Sequence, residues 1–135
     1  KIIRACAEKK EKILTIHSRR AEKEVISIIG NRFPGKIILH WYSGSISDLE
    51  KAVSFGFYFS INYAMTQSKN GINIIKNIPA DRLLLESDSP FVGVDKHSII
   101  PLNMQPTISE ISTIKQISIL ELIKILNQNF KTLLS

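Results

Sequence analysis

The chain has 135 residues, a net charge of +6 and 44% apolar residues, enough for one domain with a real core and too apolar for a disordered segment. Its single cysteine, Cys6, excludes an internal disulfide and fits a reducing compartment such as the cytoplasm. No apolar run approaches the roughly 20 residues of a membrane-spanning helix, so a membrane is not expected as a partner.

Residues 1–11 read as the end of a helix, with Ile2, Ile3, Cys6 and Ala7 on one face. The start has no initiator methionine and no signal-peptide pattern, and it enters directly into a helical pattern, which reads as a truncation. The apolar run 13–16 predicts a strand ending at His17. Ser18 is placed to cap a helix over 19–30 that buries Ala21, Val25, Ile28 and Ile29 and stops near Gly30. A loop follows over 31–35, then a strand over 36–39 that ends at His40. Ser43-Gly44-Ser45 is a turn, and Ser45 or Ser47 caps a helix that Gly56 ends. A strand over 57–61, a loop, a helix around 70–77 and Pro79 lead to a strand over 83–86. The stretch from Pro90 to Pro106 is long and irregular, a length of loop that is often functional. His97 lies in it and is not a candidate ligand. Helices over 107–118 and 119–133 close the chain, the second with Leu120, Ile123, Leu126 and Phe130 as its apolar stripe.

Strands alternating with helices imply parallel βαβ units, hence an α/β fold. Continuous apolar runs suit strands buried on both faces. Four such strands are half of an eight-stranded barrel, and 135 residues are about half of the ~250 that a full barrel needs. Residues 1–135 are therefore expected to form one partial domain with parallel strands.

In such barrels the chemistry sits at the C-terminal ends of the strands. His17, His40 and Asp88 each close an apolar run, and two histidines with an aspartate on one face suit zinc or another divalent metal. The first expectation is therefore a metal-dependent hydrolase. Arg19 and Arg20 would flank the same mouth, and arginine suits bidentate contact with phosphate. The Ser43-Gly44-Ser45 turn opens a helix whose N–H groups could hold an anion, or it is a simple capped turn. Trp41 and Tyr42 could stack on a base or wall the pocket. Basic groups at Lys9, Lys10 and Lys12 and at Arg19, Arg20 and Lys23 are compatible with a phosphate-rich partner or with a solvated surface.

The segments Ile16-His17-Ser18-Arg19-Arg20-Ala21, Leu39-His40-Trp41-Tyr42-Ser43-Gly44-Ser45, Gly56-Phe57-Tyr58-Phe59-Ser60 and Leu83-Leu84-Leu85-Glu86-Ser87-Asp88-Ser89-Pro90 resemble, in order and spacing, the C-terminal half of the TatD family. That family consists of metal-dependent deoxyribonucleases on an amidohydrolase-type α/β barrel. Ser18-Arg19-Arg20, Trp41 and Tyr63-Ala64-Met65 with Ser68-Lys69 look closer to one branch, the TatD-like component QatD of Qat anti-phage defence systems. The resemblance implies strands five to eight of a TIM-type (β/α)8 barrel with their helices. It implies His17 and His40 as metal-binding histidines of strands five and six. Asp88 would be the metal-binding aspartate of strand eight that helps activate the attacking water, and Glu86 a supporting residue. It implies divalent metals, two of them, of the magnesium, manganese or zinc kind. It implies DNA as substrate, and Arg19, Arg20, Ser43, Gly44 and Ser45, read above from their residue types, are the candidates to hold its phosphates.

Family members also carry a His-x-His pair on strand one and a glutamate on strand four, and this chain contains neither. The fragment alone is therefore expected to be inactive. The missing N-terminal half, or another copy of this chain, is expected as a partner, with other Qat proteins beyond it. The family's Arg-Asn-Glu-Pro segment is replaced here by Pro101-Leu102-Asn103-Met104-Gln105-Pro106. The same kind of site also suits an amidohydrolase acting on a small molecule, a modified nucleobase or a peptide. A non-catalytic subunit of a defence complex would keep the fold for assembly alone.

Overall fold

The computed structural model describes residues 1–9, 11–94, 97–98 and 100–135; Lys10 and the side chain of His97 lie outside what is described. The elements are α1 (Ile2–Glu8), β1 (Ile13–His17), α2 (Glu22–Ile29), β2 (Lys36–His40), α3 (Ile46–Ser54), β3 (Tyr58–Ile61), α4 (Tyr63–Thr66), α5 (Lys69–Asn77), a 3-10 turn (Ala80–Arg82), β4 (Leu83–Leu85), β5 (Gly93–Val94), β6 (His97–Ser98), α6 (Gln105–Lys115) and α7 (Ile119–Leu134). Strands β1 to β4 form one four-stranded sheet in chain order. All three of its pairings are parallel. This is the α/β arrangement expected from the alternation of strands and helices, and it is part of a barrel.

The side-chain period of two divides the sheet into two faces. Ile37, Leu39, Phe59, Ile61 and Leu83 point to one face and form the main core with Ile26, Leu49, Ile74, Ile75, Ile111 and Leu122 from the helices. Each such fully buried side chain contributes on the order of 1.5–3 kcal/mol. Ile38, Tyr58 and Leu84 point to the other face, where Leu133 of α7 packs on them in a second, smaller cluster. That face also lines an open cavity of about 550 Å³. Strands β2 and β3 are buried on both faces as expected. Strand β1 is not: its residues alternate between exposed and half-buried, because it is an edge strand.

Several boundaries differ from the sequence reading. The second helix begins at Glu22, three residues later than expected, because Arg20 has φ +64°, outside the right-handed helical region. Ser18 is not its cap; its hydroxyl is buried without a hydrogen-bond partner, and the cap position is Ala21. Ser45 caps α3 by accepting from the Asp48 N–H, and Gly56, at φ +80°, turns the chain out beyond its end. Helix α4 was not anticipated, and Asn62 caps it. The long loop contains the antiparallel β5–β6 pair. Helix α6 starts at Gln105 and includes Pro106 in its first turn, where a missing N–H does no harm.

Helix α7 buries Leu122, Asn129 and Leu133, whereas Leu120 is 64% and Phe130 54% exposed. Asn129 ties it to the start of β4, donating to the carbonyls of Ala80 (2.7 Å) and Leu83 (2.8 Å). Among the described residues no helix is long and apolar enough to cross a membrane.

Candidate functional site

The parallel register carries the site. His17 lies level with His40, His40 with Ser60, and Ser60 with Leu84. Glu86, two residues past Leu84, therefore shares their face. Its N–H is tied to the Ile61 carbonyl just beyond the end of β4.

His40 is the centre of the group. Its Nδ1 lies 2.5 Å from Glu86 Oε2, and its Nε2 lies 3.7 Å from Asp88 Oδ1. The His17 ring is 5.3 Å from the His40 ring, centroid to centroid. Glu86 also accepts from the Ser60 hydroxyl and from Asn62 Nδ2, the latter at 3.0 Å. An ionised carboxylate accepts all three bonds, so His40 donates from Nδ1 and Nε2 is the ring nitrogen turned to Asp88. Burial holds the Glu86 carboxyl above its ordinary range, against the lowering effect of Ser60, His40 and Asn62. Ser60 and Asn62 were not singled out from sequence. The available signal was a serine alternating with Tyr58 inside an apolar strand, and so belonging to the inner face.

Three non-glycine residues in the loops at these strand ends have left-handed backbones: Arg20 (φ +64°), Trp41 (φ +45°) and Asp88 (φ +48°). Such conformations cost of order 1–3 kcal/mol and cluster at functional sites. The Asp88 carbonyl accepts from the N–H groups of Phe91 and Val92, which fixes the turn that holds its carboxylate.

The residues expected to hold phosphate separate into two groups. Arg19 is exposed, makes no hydrogen bond or ion pair among the described residues, and lines a recess of about 150 Å³ with His17, Trp41 and Ser43. Arg20 is exposed but does not line that recess. The Ser43-Gly44-Ser45 turn is closed on itself. Ser43 donates to Glu22 Oε1 at 2.6 Å, and Glu22 is only 8% exposed. Ser45 Oγ accepts from the Asp48 N–H at 3.1 Å and donates to Asp48 Oδ2 at 2.7 Å. Tyr42 is buried beneath and donates to the Ser45 carbonyl. Burial, with Asp48 and Glu22 adding to it, pushes its phenol well above the ordinary value. A Cβ on Gly44 would come within 2.5 Å of the Tyr42 oxygen, so the glycine is needed for close approach. Both hydroxyls of the turn are thus engaged, with two carboxylates beside them.

Among the described residues, no three His, Cys, Asp or Glu side chains converge as a metal cage. The donors present nevertheless fit a divalent ion. A ligand histidine has its second ring nitrogen fixed by a carboxylate or carbonyl, and Glu86 does this for His40. His17, the Nε2 atom of His40 and Asp88 are the groups that would hold it.

A parallel sheet bearing histidines and carboxylates at its C-terminal strand ends has its polar cluster where α/β barrels carry their active sites. Residues 2–135 match the model of the TatD related DNase family, and the chain belongs to that family. It is 30% identical over 117 residues to human deoxyribonuclease TATDN3, covering 86% of this chain and 43% of that protein. It is 32% identical over 135 residues to a Buchnera aphidicola protein named as an uncharacterized metal-dependent hydrolase, covering 94% and 51%. The crystal structure of a TatD homolog from Escherichia coli superposes with a TM-score of 0.75 at 22% identity, over 90% of this chain and 49% of that one. A TatD family hydrolase from Entamoeba histolytica gives 0.72 at 19%, with the same coverage. The chain spans about half the length of the curated relatives it matches.

Proposed function

We propose that the protein containing this chain is a metal-dependent deoxyribonuclease that hydrolyses phosphodiester bonds in DNA. The observation that carries this reading is the His40–Glu86 pair, which turns His40 Nε2 towards Asp88 beside the His17 ring. Divalent ions, two of them and of the magnesium, manganese or zinc kind, would when bound polarise the phosphate and lower the pKa of a water. His17 and His40 would hold metal through imidazole nitrogen. Asp88 would hold metal and could take a proton from water at its carboxylate. Glu86 keeps His40 in the competent tautomer. Arg19 and Arg20 neutralise the DNA backbone, and the Ser43–Ser45 turn lies beside them.

The sheet leaves two open edges, with Ile2 78%, Ile13 39% and Phe130 54% exposed. An N-terminal half of the barrel, or another copy of this chain, would cover them, and only the N-terminal half would supply the remaining ligands. The 135-residue chain alone is therefore inactive on this reading. Ser18-Arg19-Arg20, Trp41 and Tyr63-Ala64-Met65 support the likeness to QatD. That likeness puts the reaction in cytoplasmic anti-phage defence, with other Qat proteins as partners.

The test uses the intact protein. His17→Ala, His40→Ala and Asp88→Ala should each lower bound divalent metal and abolish DNA hydrolysis. Full activity in the His17/His40 double variant would sink the reading. Metal binding without any affinity for DNA would favour a small-molecule amidohydrolase, and absence of both would favour an assembly subunit.

A further inference from the structure

We infer that Trp41 and Arg19 form a subsite for the nucleotide next to the reacting phosphate, with Trp41 stacking on its base. This rests on the deoxyribonuclease reading and goes beyond it by naming a specificity-determining residue. Trp41 directly follows His40, and the two rings meet edge-on at 6.4 Å and 83°. A bulky residue at φ +45° is rare, and here it sets the tryptophan off the line of β2 at the mouth of the site.

Trp41 is only partly buried. Part of it packs against the core, and the rest bounds the recess of about 150 Å³ shared with His17, Arg19 and Ser43. The recess is smaller than the ~300 Å³ of pockets that enclose a whole drug-sized ligand, so it takes a fragment such as one flat ring system. Its walls supply an aromatic face for the ring and a guanidinium, without a partner among the described residues, for the adjoining phosphate. The Ser43 hydroxyl is turned onto Glu22, which leaves Arg19 as the cation of the recess. His17 lines the recess and is also a candidate metal ligand, so a base held there adjoins the candidate metal site. The base must be out of its stack to enter, so an intact duplex interior would not use this subsite.

The experiment compares two oligodeoxynucleotides of equal length and charge, one of them abasic, as substrates for the intact, metal-loaded protein. Wild type should show a KM roughly tenfold or more higher for the abasic strand, since base stacking on an aromatic is of that order. Trp41→Ala should bring the two KM values together, with KM rather than kcat carrying the change. Trp41→Phe should keep most of the preference, and its retained metal content guards against misfolding. Trp41 is the chain's only tryptophan. The wild-type emission not present in Trp41→Phe should therefore be quenched by a dinucleotide and not by its abasic analogue. Equal KM values in wild type, or discrimination that survives Trp41→Ala, would overturn the subsite and leave the nuclease reading standing. Base-dependent quenching without any hydrolysis would retain the subsite and sink the nuclease reading.

Discussion

Replacing Glu86 with glutamine changes one oxygen to an amide nitrogen, and the surrounding donors set the consequence. Glu86 accepts from three of them: the His40 ring, the Ser60 hydroxyl and the Asn62 amide. Glutamine offers one acceptor. If its oxygen stays towards His40 and Ser60, its NH2 faces the NH2 of Asn62. Asn62 cannot turn freely to relieve this, because its oxygen accepts the Met65 N–H at 3.1 Å and caps α4. A buried, unsatisfied amide costs about 1–3 kcal/mol. If the amide flips instead, its NH2 faces His40 Nδ1, the ring proton moves to Nε2, and the nitrogen facing Asp88 can no longer bind metal.

Loss of such an orienting partner lowers metal affinity about 10- to 100-fold, or about 1.4–2.8 kcal/mol. Folding without metal should hold, since glutamine buries no charge. Burial raises the folded-state value of Glu86, so the stability it contributes is complete below the ordinary 4.5 and is lost as pH rises through the raised value. Glu86→Gln should lack that decline. Chelator competition on the intact protein measures the affinity, and urea unfolding of the metal-free form across pH measures the slope. Metal affinity within twofold of wild type would refute the orienting role, and an unchanged pH profile would refute the burial argument.

Asn129→Ala should lower stability by about 1–3 kcal/mol in denaturant unfolding, because the Leu83 carbonyl loses this donor while the Ala80 carbonyl keeps the Leu83 N–H. Asn129→Asp should be worse at neutral pH, where a buried carboxylate faces two carbonyl oxygens, and should recover in part as pH falls, beginning above the ordinary aspartate range because burial and the carbonyls favour the protonated form. The Arg19/Arg20 double alanine variant should weaken DNA binding and reduce the salt slope by roughly 0.7–0.9 per lost phosphate contact, with metal content unchanged. Arg19→Ala alone should carry the larger share, as Arg19 lines the recess and Arg20 does not.

The strands were legible because each is a short apolar run stopped by a polar residue. His17 and His40 were legible as a pair because parallel register places equivalent strand ends level. Glu86 is named by the resemblance as a supporting residue, but its pairing with His40 is not legible: it is 46 positions away, and only the lateral order of the strands brings it there. The start of α2 was missed because helix periodicity says nothing about φ, and Arg20 takes a left-handed conformation that few arginines adopt. Residue type shows two hydroxyls in the Ser43-Gly44-Ser45 turn and does not decide between an anion site and a simple capped turn. Their engagement by Glu22 and Asp48 depends on where α2 and α3 begin.

The apolar stripe of α7 holds only in part, with Leu126 packed against the core and Leu120 and Phe130 exposed, for a different reason. The helix carries Leu120, Leu122, Ile123, Ile125, Leu126, Phe130, Leu133 and Leu134, apolar on more than one side, and periodicity cannot choose between two apolar faces. Packing chooses. Leu122 and Leu133 are buried against the sheet, while Leu126 and Phe130 line the open cavity together with His40, Glu86 and Asp88. A helix face that is apolar yet half uncovered is suited to a further neighbour, and here that face bounds the same cavity as the candidate metal ligands. Whatever packs on Leu126 and Phe130 therefore also closes the mouth in which Asp88 and His40 sit. Covering the apolar face and enclosing the site result from the same contact.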